Sequence, residues 1–192
     1  MRRHLSLLVG TFALISPLGF AQTSTWVPDK AHSEVVFSIL HLGLSNVRGR
    51  FGNIGGSIVW NEADIAKSTV NVTIDVTTVD TGVAPRDADL KSPNFFDVAE
   101  FPTATFVSTI VAKNADGLTV SGDLTVHGVT KPVVLKVDNP MGPISGTDHK
   151  PHYGFSATTT ISRSAFNIAP KYPATFVGDE VKLSIDIDLA KQ

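Results

Sequence analysis

Apolar and polar residues alternate strictly along several stretches of the chain. From Val181 to Leu189, valine, leucine and isoleucine occupy every second position, and lysine, serine and aspartate lie between them. Successive side chains of a β-strand point to opposite faces, so this period predicts a strand with one buried face and one solvated face. The same period occurs at 70–76, 118–126 and, with one slip, at 35–41.

Further β-rich stretches raise the predicted number of strands to about eight. They lie at 48–60, 103–111, 132–137 and 153–161. The sequence Asn-Ala-Asp-Gly at 114–117 predicts a hairpin turn, and Gly122, inside an alternating run, predicts a bend or bulge. Two segments, 61–67 and 86–99, break the pattern and are predicted to hold a short helix or an ordered loop.

Strands that are apolar on one face must bury that face, which leaves a β-sandwich or a closed barrel. The alternation alone does not distinguish the two. The difference matters for function, because the interior of an eight-stranded barrel is either filled by side chains or holds one small ligand. No internal repeat and no linker divides residues 22–192, which we therefore predict to form one domain.

The first 21 residues have the character of a secretory signal peptide. Basic residues within 1–4 precede an apolar run at 5–20, and Gly19 and Ala21 supply small residues at a cleavage site. We expect cleavage after Ala21 and export of the rest of the chain. An uncleaved membrane anchor is the alternative, but a run interrupted by Pro17 is short for a membrane span.

Composition and charge exclude several classes of function. The chain has no cysteine, which excludes a disulfide framework, a thiolate metal site and lipid attachment to a cysteine. Removal of residues 1–21 takes away two arginines and no acidic residue, so the net charge moves from −2 to about −4. The sequence contains no basic patch, and nucleic-acid binding is therefore not expected.

Signals for catalysis and for metal binding are weak. The chain lacks a Gly-x-Ser-x-Gly elbow, a His-Glu-x-x-His motif and a phosphate-binding loop. His149 and His152 are three residues apart and follow Asp148, but glycine, proline and lysine surround them, so a solvated turn is favoured over a metal site. We predict no metal and no cofactor.

A series of short motifs resembles one known family, the YceI-like family of exported bacterial proteins. In chain order they are 26–33, 37–42, 47–51, 86–92, 95–97, 101–106, 122–132, 161–166 and 178–181. Their order and spacing carry the resemblance over nearly the whole chain after residue 21. One departure is Asn167, where the family often has glycine, and we expect the turn to survive because asparagine tolerates a left-handed backbone.

The resemblance implies an all-β fold, an eight-stranded antiparallel lipocalin-like barrel with a short helical segment. It further implies a periplasmic binding protein that holds a polyisoprenoid or similar lipid in an internal apolar tunnel. Quinone-like compounds and fatty amides are further candidate ligands, and a homodimer is left open. The alternatives are a stress-related structural protein without a ligand and, less favoured, a lipid hydrolase.

Two sets of residues are candidates for the ligand site. The apolar wall is predicted to consist of Phe37, Ile39, Phe51, Phe95, Phe96, Phe106, Leu124, Leu135, Phe155 and Phe176. The same residues could instead pack only against one another. For a polar head group the candidates are Arg86, His41 and Arg163, because guanidinium suits oxyanions. In the competing interpretation both arginines order loops, and Arg86 does so by pairing with Asp87 or with the backbone. His41 is then a residue of the core or of the barrel rim.

Overall fold

A computed structural model describes residues 23–192. Its strands are β1 (Thr23–Pro28), β2 (Glu34–His41), β3 (Ser45–Phe51), β4 (Gly55–Asn61), β5 (Thr69–Asp75), β6 (Thr103–Lys113), β7 (Gly117–Val126), β8 (Val129–Asp138), β9 (Met141–Ser145), β10 (Pro151–Ser162) and β11 (Val177–Lys191). One helix, α1 (Ala84–Lys91), and 3₁₀ turns at Ile65–Lys67, Val76–Thr78 and Ser164–Phe166 complete the fold.

Eight of the strands form a closed antiparallel barrel. Around the ring the order is β11, β1, β4, β5, β6, β7, β8 and β10, and β10 pairs again with β11. The closing ladder is long, since it runs from His152 opposite Ala190 to Ser162 opposite Glu180. The structure therefore confirms the predicted barrel with its short helix and excludes the sandwich that the alternation left open.

β1 and β2 share one edge of β11. Trp26 of β1 lies opposite Lys191, and β2 pairs with the preceding part of β11 as far as His41 opposite Val177. In the break between them, the Ser33 hydroxyl donates to the carbonyl of Asp188 and accepts from its N–H. The hairpin of β2 and β3 consequently prolongs the barrel wall at one end.

Two details of the strands differ from or refine the sequence prediction. The run at 48–60 is two strands, because β3 ends at Phe51 and β4 begins at Gly55. The irregularity predicted at Gly122 is a bulge in β6, where Thr109 is the extra residue opposite it. A Cβ atom on Gly122 would lie 2.6 Å from Cζ of Phe106, so glycine there leaves room for the inward phenylalanine ring.

The predicted signal peptide, residues 1–21, lies outside the described residues. Its cleavage, the export that follows from it and the domain boundary at residue 22 stay predictions. Within residues 23–192, no helix is long and apolar enough to cross a bilayer.

Candidate functional site

The barrel interior contains two cavities. The larger, which we call the mouth chamber, has a volume of about 410 Å³ and is bordered by α1 and by the ends of β2 and β11. The smaller, the deep chamber, has a volume of about 140 Å³ and is enclosed by the middle and opposite ends of the strands. Side chains therefore do not fill the interior, which leaves room for a ligand.

The chambers lie end to end along the barrel. On β11, Val181 borders the mouth chamber, Leu183 borders both chambers, and Ile185 and Ile187 border the deep chamber. The same order is seen on β5 and the turn that follows it, with Val76, Ile74, Val72 and Val70, and on β7, with Val126, Leu124 and Val120. Inward side chains recur at every second residue of a strand, so these three strands each pass from one chamber to the other.

Four aliphatic side chains separate the chambers, and we call them the waist. Val35 and Leu183 come from β2 and β11 on one side, and Ile74 and Leu124 come from β5 and β7. β2 pairs with β11, whereas β5 and β7 both flank β6 on the other part of the ring. The waist is thus built from two opposed parts of the wall.

An aromatic plug closes the far end of the deep chamber. It consists of Trp26, Trp60, Tyr153 and Phe155, with ring centroids of Trp26 and Tyr153 4.8 Å apart and those of Trp60 and Phe155 5.6 Å apart. Trp26 is only 3% exposed, and its Nε1 donates to the Ser24 hydroxyl at 2.7 Å. Burial raises the pKa of the Tyr153 hydroxyl, with a smaller effect of the nearby Glu62 carboxylate in the same direction.

The opposite end is covered by α1 and by two loops. Phe95, from the loop after α1, stacks on Tyr172, from the loop between β10 and β11, with centroids 5.2 Å apart. Below this pair the rings of Phe96, Phe51 and Phe37 contact one another in sequence. The cover over the mouth chamber therefore consists of α1 and two loops, and within residues 23–192 no strand ladder joins these segments to one another.

Exposed apolar residues surround the mouth. In the turn between β2 and β3, Leu44 is 83% exposed and Leu42 is also exposed, as is Leu40 at the end of β2. Phe176, 55% exposed, stands beside them because the Leu42 N–H donates to its carbonyl at 2.9 Å. Leu40 and Phe176 also border the mouth chamber.

The structure places all ten residues of the predicted apolar wall around the two chambers. Those at the mouth chamber are Phe37, Ile39, Phe51, Phe95, Phe96 and Phe176, those at the deep chamber are Phe106, Leu135 and Phe155, and Leu124 borders both. Several, including Phe37 and Phe106, also pack in the core clusters. Contact of any of them with a ligand stays a prediction.

Arg163 is a structural clamp, and the head-group role considered for it is not supported. It is 5% exposed, and its Nε donates to Gly178 O at 3.0 Å. Its two Nη atoms donate to four more carbonyls, of Ile168, Ala169, Tyr172 and Val177. A guanidinium has five N–H donors, so none is left for a ligand. The clamp fixes the loop from residue 163 to residue 178.

Asn167 lies within this clamped loop. It ends the 3₁₀ turn Ser164–Phe166 with φ of 56° and ψ of 26°, which is the left-handed conformation. The prediction that asparagine preserves the turn where the family often has glycine is confirmed.

Arg86 combines a clamp with free donors. Its Nε donates to the Thr81 hydroxyl at 2.7 Å and one Nη2 donor to the Thr81 carbonyl at 3.0 Å. Asp87 accepts from the Thr81 N–H and hydroxyl, so the three residues order the start of α1. The backbone clamp considered from the sequence is present. Among residues 23–192 no group accepts from Nη1 of Arg86, and the side chain borders the mouth chamber.

His41 and His152 lie at opposite ends of the barrel. His41 borders the mouth chamber at the exposed end of β2. His152 lies at the opposite end of the barrel, with Nδ1 2.7 Å from Asp188 and Nε2 3.1 Å from Asp148. Hydrogen bonds to Asp188 and then to Asp148 raise the pKa of the His152 imidazole. Within the described part of the chain no three His, Cys, Asp or Glu side chains are grouped as metal ligands would be.

Several lining residues were not singled out from the sequence. Val35, Ile74 and Leu183 of the waist lie in runs whose alternation was recognised, and their inward phase identifies them. Asp89 and Tyr172 also border the mouth chamber but lie outside strands. No periodic signal indicates which way such residues face.

Comparison with known proteins shows a family match over most of the chain. The YceI-like domain matches residues 26–189. Protein YceI of Escherichia coli O157:H7 is 40% identical over 197 aligned positions, which cover 97% of this chain and 98% of that protein. A UPF0312 protein of Yersinia enterocolitica is 39% identical, with 96% of this chain and 94% of that protein covered.

Solved structures share the barrel. BcnA of Burkholderia cenocepacia is 26% identical with a TM-score of 0.72, covering 84% of this chain and 98% of that chain. The YCEI protein of Campylobacter jejuni is 27% identical with a TM-score of 0.70, covering 96% and 99%. A polyisoprenoid binding domain from Saccharophagus degradans has a TM-score of 0.63, covering 89% and 100%, and at 16% identity the likeness extends to the fold alone.

Proposed function

The chain belongs to the YceI-like family, and from this premise and the hollow barrel we propose that it binds a long-chain amphiphile, a polyisoprenoid or a similar lipid. The hydrocarbon would occupy the barrel interior, and the polar end would lie at the mouth chamber. In this proposal the protein sequesters, stores or carries the lipid and performs no chemistry on it.

The observation that carries the proposal is the pair of apolar chambers aligned end to end. In the deep chamber the polar residues of the lining are Ser68 and Thr159, and aliphatic and aromatic side chains form the rest. Burial of hydrocarbon is favourable by about 0.8 kcal/mol per methylene group. A narrow apolar tube therefore gains affinity with each carbon that it covers, and it needs few polar contacts.

The mouth chamber offers a place for a head group. Five polar side chains border it, namely His41, Arg86, Asp89, Arg163 and Tyr172, and of these Arg163 already has its donors engaged with backbone carbonyls. The Nη1 donors of Arg86 suit the oxygen of a hydroxyl, carbonyl or phosphate group. Isoprenoid alcohols and phosphates, quinone-like compounds and fatty amides all present such an oxygen. The polyisoprenoid binding domain of Saccharophagus degradans, which has the same fold, favours an isoprenoid among them.

Mass spectrometry tests the proposal directly. The full chain is expressed in a bacterial host, purified without detergent and analysed by native mass spectrometry, and the bound material is then extracted into organic solvent. We expect an excess mass that disappears on extraction and corresponds to a lipid. A protein that carries no ligand and also fails to take up geranylgeraniol would contradict the proposal and favour a structural role.

We further propose that the protein acts in the periplasm. The support is the basic and apolar pattern of residues 1–21, with the small residues Gly19 and Ala21 before the proposed cleavage site. Fractionation of cells, with intact mass measurement of the periplasmic protein, should give a chain that begins at Gln22. A full-length protein found with the membranes would contradict this and indicate an anchor.

A further inference from the structure

We propose that the deep chamber selects ligands by chain length, because only a hydrocarbon long enough to pass the waist makes contact with its wall. This inference rests on the proposed function and adds a second subsite to it. The mouth chamber would bind the head group and the first part of any chain, and the deep chamber would bind the end of a long chain.

The waist leaves a separate length of barrel on each side. Leu189 at the aromatic plug is six residues from Leu183 in β11, which is about 20 Å of strand or, with the tilt of barrel strands, about 15 Å along the axis. On the mouth side β11 is irregular between Val177 and Val181, so the length is taken from β2, where Phe37 lies opposite Leu183 and His41 opposite Val177. These four residues span about 13 Å of strand, or about 10 Å along the axis. A short chain can therefore end in the mouth chamber, whereas a chain twice as long must pass between Leu183 and Leu124.

The deep chamber accepts hydrocarbon and rejects a polar end. The Ser68 hydroxyl accepts from the Asn61 N–H at 2.9 Å, and the Thr159 hydroxyl donates to the Val134 carbonyl at 2.9 Å. Both polar side chains of the lining are thus already engaged with the barrel wall. A head group placed there would lose its hydrogen bonds to water with little compensation, so a ligand must enter with its hydrocarbon end first.

The waist contributes to selection because its members are aliphatic and come from opposed strands. Val35 is 5% exposed and Leu124 is 7% exposed, so both are held in the packed wall. Rotation of Leu124 and Leu183 about their side-chain bonds can admit a thin chain, whereas β-branched Val35 and Ile74 are stiffer. Side chains at this level therefore control access from the mouth chamber to the deep chamber.

The test compares two alcohols that share a head group, geraniol and geranylgeraniol, the second having twice the chain length. Val120→Phe fills part of the deep chamber, and Val126→Phe makes the same change on the same strand in the mouth chamber. We expect Val120→Phe to lower the affinity for geranylgeraniol relative to geraniol by about tenfold or more. Val126→Phe should lower the affinity for both alcohols and leave the ratio of the two affinities near the wild-type value. Affinities are measured by displacement of a fluorescent lipid probe.

The outcomes separate this inference from the proposed function. An equal loss for both alcohols in Val120→Phe would overturn chain-length selection while leaving lipid binding intact. Failure of the wild-type protein to bind either alcohol would overturn both. If Val120→Phe does not fold, Ala157→Val is used instead, because it adds less volume to the same chamber. We then expect the affinity for geranylgeraniol relative to geraniol to fall by about threefold. An unchanged ratio in that folded variant would also overturn the inference.

Discussion

The two ends of the barrel are built in different ways. At the far end, four aromatic side chains are held by strands β1, β4 and β10, where β1 pairs with β4 and β11, and β10 pairs with β11 and β9. At the mouth, α1 and two loops cover the chamber, and one stacked pair, Phe95 and Tyr172, connects the loops. The far end is fixed by backbone ladders, whereas the mouth depends on side-chain contacts that can separate individually.

This difference indicates where a ligand enters. Opening the far end requires the breaking of ladder hydrogen bonds and exposure of a packed aromatic cluster, which are among the most stable parts of a barrel. Opening the mouth requires that the loop after α1 separate from the loop held by Arg163, and this movement breaks side-chain contacts but no strand ladder. Substitutions at the far end should therefore mainly change stability, whereas substitutions at the mouth should also change ligand exchange.

Trp26→Ala should cause the largest loss of stability. It removes the most deeply buried ring of the aromatic plug and leaves a cavity beside Tyr153 and Leu189. Truncation of a buried Trp or Phe typically costs about 3–5 kcal/mol. Guanidinium unfolding measures the change, and Trp26→Phe, which keeps a ring in the plug, should lose less. A loss below about 1 kcal/mol would mean that the far end is not a packed closure.

Arg163→Ala should destabilise the mouth by about 3 kcal/mol. The substitution leaves five carbonyls of the loop from 168 to 178 without their buried donors, and each unsatisfied polar group carries a desolvation cost. Urea unfolding gives the free energy, and amide hydrogen exchange locates the change. Arg163→Lys should recover only part of the loss, because an ammonium group has three donors and no planar fork. Full recovery by lysine would contradict the clamp.

Phe95→Ala should change ligand exchange more than stability. A half-buried aromatic pair such as Phe95 and Tyr172 contributes about 0.5–1.5 kcal/mol, and its removal releases the loop after α1 from the loop that Arg163 holds. We expect bound geranylgeraniol to dissociate about three to ten times faster, with a loss of stability of only about 1 kcal/mol. Tyr172→Phe retains the stack and should behave as the wild type. Dissociation that is unchanged in Phe95→Ala would argue against entry through the mouth.

The two ends also differ in how far the sequence predicted them. Strict alternation at 181–189 and 70–76 identified the strands, and the apolar candidates Phe106 and Leu124 fall on the chamber wall because strand phase fixes direction. Closure of the sheet into a barrel did not follow from this pattern, since it depends on the pairing of β10 with β11. Either a sandwich or a barrel buries the same faces.

The mouth was harder to predict because it is built from loops. Arg163 was a candidate for a head group, but its five acceptors are backbone carbonyls, which any sequence at 168–178 would supply. Asp89 and Tyr172 face the chamber from segments without a period. Nor did the sequence reveal the waist, since the residues that meet across a barrel depend on strand tilt and stagger as well as on alternation.

The smallest effect concerns pH at the far end. The pKa of His152 is raised by hydrogen bonds to Asp188 and then Asp148, so protonation of the imidazole favours the folded state. This stabilisation is complete below the unfolded pKa of about 6.5 and is lost as pH rises through the higher folded pKa. The free energy of unfolding should therefore be greater at pH 6 than at pH 9 by less than about 1 kcal/mol.

His152→Gln should reduce that pH dependence by removing the contribution of His152. The pKa of His32, which pairs with Asp29, is also raised, but this side chain is 69% exposed. His32→Gln is therefore the matched control and should leave most of the pH dependence in place. The comparison uses urea unfolding of the three proteins at a series of pH values. Because His152 lies beside the aromatic plug and far from the mouth, lipid affinity should not follow this titration. A variant that flattened the pH profile of lipid binding as well would show that the two ends are coupled through the deep chamber.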